Sequence, residues 1–102
     1  MIKRIWHGWT TREHADKYIE VLTGTVIPSI EEKKIPGYRG FEIFKKDNDD
    51  EIEFITIITF ETLQNVMDFQ GEDYTRAYVP EAAQAVLKRW DHHCAHYEVI
   101  ER

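Results

Sequence analysis

The side chains best able to do chemistry gather near the end of the chain, in His92-His93-Cys94-Ala95-His96. On a strand His92, Cys94 and His96 would point the same way, so that a thiolate and two imidazoles could converge on a metal ion. The spacing matches no closed zinc motif and no second ligand pair accompanies it, so no metal site is expected. Cys94 is the single cysteine, which rules out an internal disulfide and suits a reducing compartment. Without a Cys-x-x-Cys neighbour it leaves thiol redox catalysis a minor option. His7 follows Trp6 on a probable first strand and could serve as a pocket base, against the plainer reading of an exposed or hydrogen-bonded histidine. Trp6, Trp9 and Trp90 read first as packing residues and second as ring stackers for a ligand. Asp47-Asn48-Asp49-Asp50 lacks the glycine and distant glutamate of a calcium loop and reads as a solvated hairpin turn. There is no glycine-rich phosphate loop, no Gly-x-Ser-x-Gly and no His-Glu-x-x-His, which sets aside nucleotide-driven, serine-hydrolase and zincin chemistry.

These groups need elements to position them. Residues 2 to 9 read as a strand, and Thr10 with Glu13 has capping-box spacing for the helix that follows. Ala15, Tyr18, Ile19, Leu22, Val26 and Ile30 then recur at helical spacing, with Gly24 and Pro28 placed to weaken or kink the second half. Pro36-Gly37 closes the segment with a turn, and Tyr38 to Lys46 alternates as a second strand. A third strand runs from Ile52 to Phe60 after the acidic hairpin. Thr62 can cap a short helix that buries Leu63, Val66, Met67 and Phe69 and ends at Gly71. Pro80 suits the first turn of another helix, whose inward residues are Ala83, Val86, Leu87 and Trp90. His93 to Ile100 completes the pattern as a fourth strand. The order β-α-β-β-α-β predicts an α+β, ferredoxin-like sandwich, a four-stranded antiparallel sheet with helices on one face.

The third strand, Ile-Glu-Phe-Ile-Thr-Ile-Ile-Thr-Phe, carries large apolar residues on both faces: Ile52, Phe54, Ile58 and Phe60 on one, Ile55 and Ile57 on the other. A chain of 102 residues with about three helical segments can cover one side only. The second face is therefore expected to meet another copy, giving a homodimer. One domain over residues 1 to 102 is enough for this length. A net charge of −6 without a basic run disfavours nucleic-acid binding. No segment reaches the roughly 20 apolar residues of a membrane span. The two basic residues near the start have no apolar stretch behind them, so a cytoplasmic protein without a secretory signal is expected.

The residues Trp9, Tyr18, Pro36-Gly37-Tyr38-Arg39-Gly40, Glu53-Phe54-Ile55-Thr56, Phe69-Gln70-Gly71-Glu72-Asp73, Tyr78-Val79-Pro80-Glu81 and His96-Tyr97-Glu98-Val99 together span nearly the whole chain. In order and spacing it resembles the antibiotic biosynthesis monooxygenase-like domains of the dimeric α/β-barrel superfamily. The resemblance implies a homodimer with sheets packed face to face and a pocket between each sheet and its helices. It also implies oxygenation of a small aromatic or hydrophobic substrate without metal, flavin or other cofactor, the substrate supplying the electrons. On that reading Asn65 would hydrogen-bond an oxyanion, Tyr74 would relay a proton and Arg89 would lower the pKa of a bound phenol, with His7 a further base. Trp6, Trp9, Phe69, Tyr78 and Trp90 would hold the substrate. Phe69 stands where oxygenase relatives often have Trp, so an indole donor is missing. Each residue keeps a structural alternative: Asn65 on a solvent-facing helix surface, Phe69 and Tyr74 in the core, Arg89 a surface cation. The alternative function is a non-catalytic binding or accessory dimer with the same pocket. Haem binding and degradation comes third, because the stretch from Tyr74 to Tyr78 holds no histidine.

Overall fold

Alternation along two strands decides which side of the sheet is covered in the computed structural model, which describes residues 1–102. In β1 (Ile2–Thr10) the buried residues are Arg4, Trp6, Gly8 and Thr10, and in β3 (Ile52–Phe60) they are Ile52, Phe54, Thr56, Ile58 and Phe60. The strands run antiparallel, from Ile2 opposite Phe60 to Thr10 opposite Ile52, so both buried sets share one face. β2 (Tyr38–Asp47) pairs with β3 on its far side, with a bulge between Tyr38 and Gly40. That extra residue puts Tyr38, Phe41 and Ile43 together on the covered face although their numbers differ in parity.

The sheet has five strands, where the sequence pattern suggested four. Its order is β2-β3-β1-β4, and β1's outer edge is shared: β4 (Leu87–Trp90) pairs with Gly8 to Thr10, and β5 (Ala95–Glu98) pairs with Ile2 to Ile5. The strand expected over His93 to Ile100 is thus shorter and preceded by another. The helix expected through Trp90 is also much shorter, spanning Glu81–Gln84. Val86, Leu87 and Trp90 fit a helical stripe, yet the open backbone edge of β1 offers ladder hydrogen bonds that a helix could not satisfy.

The remaining helices pack on the covered face. After a 3-10 turn (Arg12–His14) come α1 (Ala15–Val21), a π-helical turn (Leu22–Val26) and α2 (Ile27–Glu32). Tyr18, Leu22, Val26 and Ile30 form the buried stripe that the spacing suggested. The π turn precedes Pro28, and a wider turn relieves the clash of a proline ring with the carbonyl four residues back. The cap falls on Thr11, whose hydroxyl accepts from the His14 N–H at 3.2 Å; Thr10 is buried and donates to the Val86 carbonyl. α3 (Leu63–Gln70) is capped by Thr62 and ends at Gly71, where φ is 99°. The short helix at Glu81–Gln84 is α4. Tyr18 meets Phe54 edge-on and Phe60 packs on Phe69, joining helices to sheet in one core. The fold is α+β, an open antiparallel sheet with helices against one face. No helix is long and apolar enough to cross a membrane.

Candidate ligand-binding site

Between the sheet and the helices lies a cavity with about 50 Å³ open to the centre of a water molecule. Twelve of its fifteen lining residues are hydrophobic. Trp6 and Ile58 come from the sheet, and Leu22, Val26 and Ile30 from the helical stripe. The π turn contributes to this wall, since it aims both Leu22 and Val26 inward. Tyr78, Val79 and Pro80 form the rim, where Tyr78 is 53% exposed. Lys33, just beyond α2, holds its Nζ 4.7 Å from the centre of the Phe69 ring and 6.0 Å from that of Tyr78, so a cation sits above two lining rings.

One charged side chain lines the cavity, and it is buried. Arg4 is 3% exposed and shares the covered face with Trp6 and Gly8. Its Nη1 donates to the Tyr74 carbonyl at 2.5 Å and to His96 Nε2 at 2.9 Å, and its Nη2 donates to the Arg76 carbonyl at 2.9 Å. The Phe69 ring centre lies 5.6 Å from its Cζ. No carboxylate pairs with it. Because the guanidinium can only donate, His96 accepts as a neutral imidazole. Burial first, and the Arg4 charge second, hold the His96 pKa down at about 4. Burial also pushes the Cys94 thiol up, with Arg4 opposing. Arg4 is one of the two basic residues near the start, and its shared parity with Trp6 is the sequence signal that places it inside.

The nine residues singled out from the sequence do not meet at one place. Trp6, Phe69 and Tyr78 line the cavity. Trp6 offers it a ring and no donor, because its indole N–H donates to the Asp91 carbonyl at 2.8 Å. Tyr74 flanks the site through its carbonyl on Arg4, its ring edge-on to His96 at 5.2 Å. Asn65 lies outside and completes the α3 cap: its Oδ1 accepts from the Thr62 N–H at 3.0 Å, and its own N–H donates to the Thr62 hydroxyl. The same side chain fills the space a Cβ on Gly37 would need, where φ is 82°. His7, Trp9 and Arg89 lie on the opposite face of the sheet. His7 Nδ1 is 3.1 Å from Glu53 Oε2, and bonds to His7 and then to Asn48 hold the Glu53 carboxyl below its usual range. Arg89 lies 3.9 Å over the Trp9 ring and donates to Glu51 at 2.5 Å.

Trp90 borders a separate, polar cleft of about 360 Å³ with Arg76, Gln84, His92 and His93. The residues from His92 to Cys94 are not on a strand, which is why His92 sits exposed in this cleft while Cys94 is buried at the cavity. No known family model matches the chain, and no curated protein matches it.

Proposed function

We propose that the chain works as a ferredoxin-like homodimer, of the antibiotic biosynthesis monooxygenase-like kind, that binds one small aromatic or hydrophobic molecule per protomer between its sheet and helices. The observation that carries the reading is the lining: a cavity walled by apolar side chains, reached past an exposed tyrosine. Space for only a few waters suits a single ring or a short chain, and a polycyclic guest would have to displace the rim at Tyr78. Toluene, indole and benzyl alcohol should each raise the melting temperature saturably, with one molecule bound per chain by calorimetry. If none of them binds, the reading fails.

The dimer rests on the open sheet face. Ile5, Ile55 and Ile57 form its centre with no helix over them, and Phe44 and Tyr97 beside them are 48% and 58% exposed. The ion pairs Lys3–Glu42 and Arg89–Glu51 and the hydrogen bond between His7 and Glu53 ring this patch. An apolar centre with both signs of charge at its rim is self-complementary about a two-fold axis.

Cofactor-independent oxygenation is a second reading, favoured by the rings of Trp6, Tyr18, Phe41, Phe69 and Tyr78 in the lining, which suit a flat aromatic substrate. No imidazole or carboxylate lines the cavity, so binding is the reading the geometry supports better. Oxygen uptake with hydroquinone-like aromatics separates the two: consumption that depends on the protein makes it an oxygenase, and binding without consumption leaves it a binder. The haem reading gains no support here, since no histidine lines the cavity and His7 lies across the sheet.

A further inference from the structure

We infer that the occupant of this cavity is a small monocarboxylate, its apolar body against the hydrophobic lining and its carboxylate against Arg4 and Thr56. The inference rests on the pocket reading above and adds the charge of the ligand.

The argument begins with a charge that lacks its opposite. Exposed cations such as Arg12, Arg39 and Arg89 have carboxylate partners, at positions where a pair contributes little. Arg4 is buried, where an uncompensated charge is costly, and it is bonded to two carbonyls and a neutral imidazole only. A guanidinium has five N–H donors. Three are engaged, which leaves Nε–H and one Nη2–H without a protein acceptor, and neither nitrogen is sealed in the core without a partner. A carboxylate offers two oxygens that can accept from these two donors.

Thr56 supplies the second polar group. It is 7% exposed, lines the same cavity, and its hydroxyl makes no hydrogen bond to the protein. Arg4 is opposite Ile58 and Trp6 is opposite Thr56, so Arg4 and Thr56 are diagonal neighbours on one face, within reach of a single head group. The surrounding charge agrees. The chain carries −6 overall, yet no acidic residue lines the cavity, and Lys33 stands above its rim. A phosphate dianion would find one buried cation where it needs more, and an uncharged ligand would leave Arg4 as unpaired as it is now.

Matched pairs of probes test this with the whole chain: benzoate against benzamide, and hexanoate against hexanamide, titrated at neutral pH by calorimetry and by NMR of the Arg4 Nε–H resonance. Each carboxylate should bind about tenfold or more tightly than its amide and should move that resonance, as charge-assisted hydrogen bonds require. Arg4→Gln should abolish the preference, and Thr56→Val should narrow it. Should Arg4→Gln fail to fold, the wild-type pairs and Thr56→Val still decide. Equal binding of acid and amide overturns the inference and leaves the pocket reading standing. A carboxylate preference that leaves the Arg4 resonance unmoved, or survives in Arg4→Gln, also overturns it, since another cation is then responsible. If neither acid nor amide binds, inference and pocket reading fall together.

Discussion

A methyl group placed on Gly8 would come within 2.4 Å of Cη2 and 2.8 Å of Cζ3 of Trp6, so the indole lies across the one residue of β1 that leaves it room. Because the indole is rigid and tied to Asp91, Gly8→Ala should overpack the sheet and lower stability by about 1 to 3 kcal/mol, measured by urea unfolding. The displaced ring lines the cavity, so ligand affinity should fall with it. His96 makes a pH prediction. Its folded pKa of about 4 lies below the ordinary 6.5, so the unfolded chain binds the proton more readily. Stability is therefore full above pH 6.5 and is lost as pH falls through that window toward 4. His96→Gln, which can still accept from Arg4, should flatten the slope of melting temperature against pH there; an unchanged slope would assign it to other groups.

At the scale of elements, the helical arm offers the counterpart to Gly8. Gly24 lies in the π turn with open space around its missing Cβ and no positive φ, so Gly24→Ala should stabilise by about 0.5 to 1 kcal/mol through the unfolded chain and helix propensity. A loss of stability would mean that the π turn depends on its glycine. Elements whose periodicity and caps agree were legible in the sequence: the alternation of β3, the stripe from Tyr18 to Ile30, and the Thr62 to Gly71 helix. Leu87 to Trp90 was not, because four residues with apolar ends satisfy a helical and an extended pattern alike, and the unpaired edge of β1 chooses between them. The bulge near Arg39 was equally hidden, since alternation alone carries no mark of an extra residue. The site suffered most from this. The parity that turns Trp6 inward also turns Arg4 inward, whereas His7, Trp9 and Arg89 belong to the other face, which residue type alone does not reveal.

The whole molecule has two apolar surfaces, one enclosed between sheet and helices and one open on the sheet. The open one makes the oligomeric prediction: light scattering during size exclusion should give twice the chain mass of 12.2 kDa, and Ile57→Glu, at the centre of the face, should reduce it to a single chain. A wild-type monomer at micromolar concentration would mean that this face is tolerated in water. The enclosed surface carries the functional claim, and the two can be told apart in one titration. With isoleucine, leucine and valine methyl groups labelled, benzyl alcohol is added and the shifts are followed by NMR. Movement of Leu22, Val26, Ile30 and Ile58, with Ile5, Ile55 and Ile57 unmoved, is the result expected of a ligand site between sheet and helices. Shifts confined to Ile5, Ile55 and Ile57, or no saturable shift at all, would contradict it.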